Sequence, residues 1–361
     1  MRAMTQLVNQ LVNQLGEWLK GEGPESDIVI SSRLRLARNL ADYPFNTRSS
    51  AASRKEVELL LRETLTGRAV DRGLTYLSLG HAPIIDRQVL LERHLISKEH
   101  AALGKEHNGI VERGVAVSRQ ENLAILVNEE DHLRLQCLRS GLQFEEAWEE
   151  LNAVDNAVAR AVKLAFSPQF GFLTCCPTNV GTGLRISVML HLPALVITKQ
   201  LDKVFEALSR INFTVRGFFG EGTQAMGDFF QISNQITLGK SEEEMIRDMR
   251  KVVPQIVGFE REVRQKLLEQ SRERVEDSVC RSLGILRAAR CITTEETMER
   301  LSALRLGVHL GLLTDVPIRT INEIFLCSQP GHLQKLEGRP LEAAERDVAR
   351  AALIRRRLAA R

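Results

Sequence analysis

The sequence predicts an α+β protein in which a mixed, largely antiparallel sheet flanked by helices precedes an all-helical C-terminal domain. Segments of strand character lie in hairpin-like neighbourhoods among helical segments, whereas a parallel sheet would show regular alternation of the two. Beyond Lys240 the pattern is helical and highly charged. A chain of 361 residues is also long enough for about two domains.

The individual elements follow from the spacing of apolar residues. Strand-like segments occupy 27–32, 73–79, 114–118, 122–128, 172–176, 213–219 and 229–238. Helical spacing covers 4–19, 53–66, 83–96, 143–166, 198–211 and 241–276. We therefore expect three parts, namely an N-terminal amphipathic helix within 1–23, a sheet-containing domain over 24–260 and a helical domain over 261–361.

Composition and charge argue against several classes of protein. Apolar residues make up 43% and charged residues 26%, and no apolar run approaches the roughly 20 residues of a membrane helix. The net charge of +3, from 49 basic and 46 acidic residues, is too balanced for nucleic acid to be the main partner. We expect a globular protein that neither spans a membrane nor binds nucleic acid directly.

The six cysteines indicate reduced thiols, because the sequence contains no CxxC pair and no histidine at metal-site spacing. A metal site made from protein side chains alone is therefore not expected. The N-terminal segment lacks the apolar core of a signal peptide, since it is interrupted by Asn9, Gln10, Asn13 and Gln14. These features predict a cytoplasmic protein.

Arginine supplies most of the positive charge, and several arginines lie where one element gives way to another: Arg33, Arg35, Arg134, Arg185 and Arg216. Arg33 and Arg35 alternate, so both point to one side of a strand. Guanidinium groups bind oxyanions through a planar fork of donors, so this set could neutralise a triphosphate. Alternatively, each is a surface or salt-bridged arginine, and GC-rich coding or a thermophilic host would give the same enrichment.

Familiar nucleotide-binding motifs are missing or incomplete. The segment "LGKS" at 238–241 has the tail of a phosphate loop, but Asn234 replaces its first glycine. Gly181 and Gly183 in "CCPTNVGTGLR" are better explained as turn residues between Cys176 and Arg185. A nucleotide would therefore be held by arginines.

Acidic residues cluster in "NEEDHLR" at 128–134, which follows an apolar strand. One interpretation is a solvated helix start, because acidic side chains favour a first helical turn. The other is a carboxylate at a strand end that faces a cleft, with Glu221 of "RGFFGEG" as its partner.

Four motifs, in this order and spacing, resemble the catalytic domain of the phosphagen (guanidino) kinases, the family of creatine and arginine kinases: "SSRLRLARN", "NEEDHLR", "CPTNVGTGLR" and "RGFFGEGT". The resemblance covers about 24–260, and over the whole chain it is closer to the bacterial protein arginine kinases of the heat-shock system. The separate substrate-binding domain of the small-molecule kinases is expected to be absent, because the arginine motif begins at residue 31. The loop after Arg216 also differs, and a helical domain is appended.

This resemblance implies a phosphagen-kinase-like fold and transfer of the γ-phosphoryl group of ATP, with Mg²⁺, to arginine side chains of proteins. A guanidinium holds its proton to a pKa far above neutral pH, so carboxylates must grip it and accept a proton as it reacts. The motif match assigns this role to Glu130 and Glu221. Cys176 matches the family's reactive cysteine, which would orient the guanidinium as a thiolate. The alternative for Cys176 is an inert buried thiol, and Cys175 is expected in the core.

The resemblance also implies a nucleotide site in which the arginines clamp phosphates. His94 is a further contact, unless it is a structural histidine. The complete set comprises Ser31, Ser32, Arg33, Leu34, Arg35, His94, Arg134, Arg185, Ile186, Ser187, Val188, Met189, Arg216, Gly217, Phe218, Phe219, Gly220 and Glu221.

In the tail, "RDVARA" at 346–351 resembles an allosteric phosphoarginine pocket, which implies a site at Arg346, Asp347, Arg350 and Ala351. An exposed helix face would show the same pattern. Implied partners are protein substrates with exposed arginines, a Clp-type (ClpC-like) chaperone, a CtsR-like heat-shock repressor, a zinc-finger (McsA-like) activator and a second copy in a homodimer. Two alternative functions stay open, a kinase for free arginine or another small guanidino compound and a non-catalytic phosphoarginine-binding adaptor.

Overall fold

The computed structural model describes residues 2–70, 72–103, 111–217 and 226–359, with side chains from residue 5 onward. Its strands are β1 (Val29–Arg38), β2 (Thr75–Ser78), β3 (Gly114–Val117), β4 (Leu123–Val127), β5 (Leu133–Ser140), β6 (Phe166–Ser167), β7 (Gly171–Phe172), β8 (Leu184–His191), β9 (Phe213–Gly217) and β10 (Phe229–Asn234). Its α-helices are α1 (Arg2–Leu11), α2 (Ala51–Thr66), α3 (Ile84–Glu92), α4 (Lys98–Ala101), α5 (Phe144–Ala161), α6 (Pro193–Ile197), α7 (Leu201–Arg210), α8 (Glu242–Ala288), α9 (Thr294–His309), α10 (Ile318–Cys327), α11 (Pro330–Glu337) and α12 (Ala343–Ala359).

Eight strands form one sheet in the order β2-β3-β4-β5-β1-β8-β10-β9. Each neighbouring pair in this sheet is antiparallel. Strands β6 and β7 form a separate short hairpin. The predicted α+β class and the largely antiparallel sheet are confirmed.

One face of the sheet packs against helices. Leu34 and Leu36 of β1 point to this side and share a buried apolar cluster with Leu61 of α2, Phe144 of α5 and Met249 of α8. Arg33 and Arg35 alternate with these leucines along β1. Because strand side chains alternate between faces, both arginines point to the opposite side of the sheet.

The opposite face of the sheet is divided in two. Near one end of the central strands, Ile30, Leu138, Met189 and Phe229 lie in a second apolar cluster with side chains of α9 to α12. Near the other end the same face carries arginines and is not covered by these helices. Helices α1 and α3 pack beside that open half, against β2, β3 and β4.

Helix α8 connects the two apolar clusters. It begins with a capping box in which the Ser241 and Glu244 side chains bond to each other's backbone N–H groups. Met249 in its first part belongs to the cluster under the sheet, whereas Leu286 near its end belongs to the cluster of the C-terminal helices. Between them, Ser271 has non-helical torsion angles (φ −151°, ψ 35°) and kinks the helix.

Three local predictions differ from the structure. Strands β5 and β8 were not predicted, although the segments at 133–137 and 184–188 alternate apolar and polar residues as a half-buried strand does. The predicted strand over 172–176 ends at Phe172, since the N–H of Cys175 bonds to the Asp131 carboxylate and Pro177 follows. The N-terminal helix ends at Leu11, because Gly16 is extended and Leu19 lies in a separate 3-10 turn.

In the described part of the chain, no helix combines the length and apolar character needed to cross a membrane.

Candidate active site

A cleft of about 590 Å³ lies over the open half of the sheet. The charged side chains in the described part of its wall are mostly cationic, with a few carboxylates among them: Arg33, Arg35, Lys98, Arg113, Arg134, Arg185, Arg216, Glu99, Glu129 and Glu130. It is also lined by His94 and Ser97 from the segment between α3 and α4, and by Cys176 and Thr178 before β8.

Strand geometry explains why the five predicted arginines meet in this cleft. Arg33 and Arg35 lie two positions apart on β1, and Arg35 is directly opposite Arg185 of β8. Arg134 of β5 and Arg216 of β9 alternate onto the same face. Opposite residues of paired strands share a face, so antiparallel pairing collects all five from distant parts of the sequence.

The positive charges of the arginines repel one another, which makes the protonated form of each arginine less favourable. Burial and the charges of the neighbouring arginines lower the pKa of Arg33 to about 10, against the opposing effect of Glu129. Burial, followed by the charges of Arg33 and the other arginines, lowers the pKa of Arg35 well below its usual value. Positive charge in excess of local carboxylates makes this half of the face suited to a polyanion.

The segment "NEED" forms the connection between β4 and β5, so the helix-start interpretation is wrong. Glu129 is buried, and its carboxylate accepts hydrogen bonds from Ser97 Oγ at 2.5 Å and Arg134 Nη1 at 2.7 Å. Burial alone would raise the pKa of Glu129, but Arg134, His100 and these hydrogen bonds lower it overall. Glu129 is therefore held as an anion beside the arginines.

Glu130 presents its carboxylate to the cleft, with 42% of its side chain exposed and Arg134 Nη2 at 2.9 Å. Partial burial raises the pKa of Glu130, and the charges of Asp131 and Glu129 add to this although Arg134 opposes it. A carboxylate whose proton affinity is raised, and which is open to a ligand, is suited to accept a proton.

Asp131 was predicted only as one member of the acidic cluster, yet it organises the site. It is fully buried, and its Oδ1 accepts hydrogen bonds from Asn39 Nδ2 at 2.6 Å and from the Cys175 N–H at 2.7 Å. It therefore links the end of β1, the acidic turn and the cysteine segment. Residue spacing contains no signal for this role, because the partners of Asp131 are distant in the chain.

The segment from Cys176 to Gly183 forms another part of the cleft wall. The Cys176 Sγ lies 3.0 Å from Thr178 Oγ1. Gly181 (φ +112°) and Gly183 (φ +66°) have left-handed torsion angles, and a Cβ on either would collide with nearby backbone, so they are turn residues as predicted. Cys175 is half-buried, not in the core as predicted, and burial together with Asp131 raises its pKa to about 11.

Arg38 anchors this segment and was not singled out from the sequence. Its guanidinium is buried, pairs with Asp155 at 2.8 Å and donates to the Thr182 carbonyl at 2.9 Å. It also lies 3.5 Å from the centre of the Phe172 ring. Arg38 therefore has a structural role, because its charge is paired with a carboxylate and its remaining donors hold the backbone.

His94 lines the cleft from the segment that connects α3 and α4. Its ring packs edge-on against Trp18, with 4.8 Å between ring centres. Burial, with a contribution from Arg33, lowers the pKa of His94 to about 3, so the ring is neutral near pH 7. A neutral ring between an aromatic side chain and the cleft fits both the nucleotide contact and the structural role considered above.

Several other residues predicted to bind the nucleotide do not bring side chains into the cleft. Leu34, Ile186 and Val188 point to the opposite face of the sheet, into its apolar core. Met189 lies under the C-terminal helices. The prediction is corrected for these side chains, because one-residue steps along a strand alternate between faces.

The remaining predicted nucleotide contacts are of three kinds. Ser31 and Ser32 are buried, and Ser32 Oγ donates to the Gly141 carbonyl at 2.8 Å. Ser187 Oγ donates to the Arg33 carbonyl at 3.3 Å, and Gly217 ends β9. The others lie outside the described residues: Phe218, Phe219, Gly220 and Glu221.

The proposed phosphoarginine residues lie on α12. Arg350 is buried and donates hydrogen bonds to two backbone carbonyls and, at 2.6 Å, to Asp347. Arg346 is half-buried and donates to a backbone carbonyl at 2.7 Å, while Ala351 is in the core. The alternative interpretation, an exposed helix face, is therefore wrong for Arg350, whose side chain is buried.

Two known family models together match most of the chain. The family model for the C-terminal catalytic domain of the ATP:guanido phosphotransferases matches residues 56–263. A second model, for the C-terminal domain of the protein-arginine kinase McsB, matches residues 272–361.

Curated relatives align from end to end. The chain is 46% identical over 359 residues to a protein-arginine kinase of Symbiobacterium thermophilum, covering 98% of this chain and 99% of the relative. It is 44% identical over 352 residues to a protein-arginine kinase of Halothermothrix orenii, covering 97% of this chain and 99% of the relative.

Solved structures give the same fold. A duplicated taurocyamine kinase from Schistosoma mansoni with bound transition state analog components aligns with a TM-score of 0.60 at 28% identity, over 69% of this chain and 35% of that one. A lombricine kinase aligns with a TM-score of 0.56 at 25% identity, over 74% of this chain and 78% of that one.

Proposed function

This chain belongs to the protein-arginine kinases of the ATP:guanido phosphotransferase family, and we propose that its arginine-lined cleft holds the phosphates of ATP opposite an arginine of a protein substrate. The predicted resemblance is thereby confirmed, as is a phosphotransferase activity directed at arginine in proteins. ATP is the phosphoryl donor of this family.

The observation that carries the site assignment is the convergence of five arginines, the acidic turn and Cys176 in one cleft. Phosphoryl transfer spreads negative charge over the oxygens of the transferred group, so catalysis consists mainly of positioning and electrostatic stabilisation. Guanidinium groups fixed on paired strands supply both, since they need not reorganise during the reaction.

The acceptor side of the reaction is assigned to Glu130. Its half-exposed carboxylate would grip the substrate guanidinium through paired hydrogen bonds and accept the proton lost as the N–P bond forms. Cys176, as a thiolate, would offset the charge of the same guanidinium. Glu221, outside the described residues, is proposed as the second carboxylate by motif match alone.

Mg²⁺ is proposed as the companion of ATP. Within the ranges that the structure describes, no group of three or more His, Cys, Asp or Glu side chains is arranged to hold a metal. Glu129 and Glu130 are engaged with Arg134. The donor set therefore fits an ion held mainly by phosphate oxygens and water, which would neutralise part of the phosphate charge.

Incubation with ATP and either free arginine or an unfolded protein tests the substrate class. We expect acid-labile phosphate on the protein, detected by phosphoproteomics under neutral conditions. Phosphate appearing only on free arginine would contradict the proposal and favour the small-molecule kinase. A non-catalytic adaptor would give no transfer to either substrate.

The C-terminal residues Arg346 and Arg350 are proposed to bind phosphoarginine. Arg346→Ala should weaken phosphoarginine binding in calorimetry, and Val348→Ala, at an exposed position of the same helix, should not. Equal binding by both variants would contradict the site. The division into an N-terminal helix within 1–23, a catalytic domain over 24–260 and a helical domain over 261–361 likewise stays a prediction.

The heat-shock partners stay proposals that rest on family resemblance: the ClpC-like chaperone, the CtsR-like repressor and the McsA-like activator. Purified components with and without ATP would test each of them. The proposed homodimer predicts a mass in light scattering of twice 40.6 kDa, and the mass of a single chain would contradict it.

A further inference from the structure

Helix α11 of the C-terminal region packs against α3, which lies beside the cleft. At the centre of this contact, Glu92 at the end of α3 accepts hydrogen bonds from the Gly331 and His332 N–H groups at 2.6 and 2.9 Å. These donors belong to the first turn of α11, where N–H groups have no acceptor within the helix. One buried carboxylate from the catalytic region therefore fixes the start of a C-terminal helix.

The His332 side chain extends this contact. The ring is fully buried, with Nδ1 2.7 Å from Glu92 Oε2 and Nε2 3.2 Å from Arg93 Nη1. Burial lowers the pKa of His332, although Glu92 opposes the shift. A neutral ring that donates from Nδ1 to Glu92 and accepts at Nε2 from Arg93 satisfies all three groups.

Arg93 is held on every side. It is completely buried, and its Nε and Nη2 atoms donate to the two Glu121 carboxylate oxygens at 2.5 and 2.6 Å. Nη2 also donates to the Gln14 carbonyl at 3.0 Å. Loss of one partner would leave a buried charge incompletely satisfied.

The next residue in the chain is His94, whose ring lines the cleft. Its φ of +58° is left-handed and belongs to the C-terminal cap of α3, where the His94 and Leu95 N–H groups bond to the Leu91 and Leu90 carbonyls at 2.9 and 3.0 Å. The His94 carbonyl accepts a hydrogen bond from Gln136 Nε2 of β5 at 2.6 Å. The backbone of His94 is thus held by the helix cap, and the cap lies between the buried Arg93 and the sheet.

We propose that Glu92, Arg93 and His332 are positioning residues through which the C-terminal region holds His94 in the nucleotide-binding part of the cleft. The proposal rests on the proposed function, because it takes His94 as a contact of the nucleotide. None of the three touches the reacting groups. Without His332, Glu92 and Arg93 would each lose a partner at the end of α3, and the helix cap that carries His94 would loosen, so that its ring would no longer be fixed in the cleft.

The test is ATP binding, measured directly by calorimetry and as KM and kcat with an unfolded protein substrate. His332→Leu removes both side-chain hydrogen bonds and should weaken ATP binding about tenfold, with kcat at saturating ATP within about twofold of wild type. His332→Gln, which keeps an acceptor for Arg93, should restore part of the loss.

The matched control is Lys335→Gln, which breaks the 2.5 Å ion pair between Lys335 and Asp86 at the same α3–α11 contact. Lys335 and Asp86 form no hydrogen bond with Arg93 in the described interface, so ATP binding should be unchanged. A loss equal to that of His332→Leu would mean that general loosening of the contact is responsible, which overturns the proposal.

A double-mutant cycle with His94→Ala shows whether His332 affects ATP binding through His94. If His332 acts through His94, the double variant binds ATP as weakly as His94→Ala alone, whereas additive losses overturn the proposal. Should His332→Leu unfold in thermal melts, Glu92→Gln takes its place in the same cycle. Failure of the proposed function is distinguishable, because wild type would then neither bind ATP nor form phosphoarginine.

Discussion

One face of the sheet carries two halves with opposite properties, although β1, β5 and β8 run through both. In the open half this face presents Arg35, Arg134 and Arg185, whereas a few residues along the same strands it presents Leu138 and Met189. The apolar half gains free energy when the C-terminal helices remove it from water. Covering these guanidinium groups would instead remove their charges from water, at a cost of several kcal/mol per ion, so this half stays available to an anionic ligand.

Phe229→Ala should have the largest effect, and on stability alone. Phe229 is 3% exposed and packs against Phe325, with 5.1 Å between ring centres. Truncation of a buried phenylalanine costs about 3–5 kcal/mol, measurable by urea unfolding, while ATP affinity of the folded protein should change less than about twofold. Phe166→Ala is the control, because Phe166 is 57% exposed. Loss of ATP affinity with stability intact would contradict the division of the face.

Glu130→Gln should have the opposite signature, a loss of activity with little loss of stability. We expect kcat/KM for a protein substrate to fall at least a hundredfold, about 2.7 kcal/mol, because glutamine keeps the shape but cannot accept the proton. Glu221→Gln should behave alike if the motif match is right. The control is Glu149→Gln, an exposed position on α5, and similar activity of all three variants would remove Glu130 from the mechanism.

Arg35→Met should weaken ATP binding and at the same time make the folded protein more stable. The lowered pKa of Arg35 means that its charge is disfavoured in the folded protein, so the variant should melt at a higher temperature than wild type without nucleotide. It should bind ATP roughly 10- to 100-fold more weakly, since a charge-assisted hydrogen bond contributes about 1.5–3 kcal/mol. The exposed Arg68→Met is the control. A lower melting temperature would show that Arg35 stabilises the empty cleft.

Local pattern predicted some of these features and could not predict others. The alternation of Arg33 and Arg35 predicted their shared face, because strand periodicity is a property of neighbouring residues. The pairing that brings Arg185 opposite Arg35 is a long-range contact. The same holds for Asp131, whose partner Cys175 is 44 residues away, and no short segment contains such information.

Strands β5 and β8 differ in this respect. Their cleft-facing positions, such as Arg134 and Arg185, are polar, and the positions between them at 133–137 and 184–188 are apolar. This alternation is the usual signal of a half-buried strand, so the local sequence contains the information for both strands. Only their pairing with β1 is information that a short segment cannot carry.

The smallest expected effect concerns how Glu129 tunes Glu130 within the open half. Glu130 can act as a base only when ionised, so kcat/KM should fall as pH drops through its raised pKa. Glu129→Gln removes a like charge and leaves Arg134 to pair with Glu130 alone. Both changes lower the pKa of Glu130, so the acid limb of the pH–rate profile should move to lower pH, whatever the maximal rate. Glu146→Gln, exposed on α5, should leave the limb in place. If the acid limb stays fixed or moves to higher pH in Glu129→Gln, another group is the base. Both consequences of the substitution lower the pKa of Glu130, so neither could move the limb in that direction.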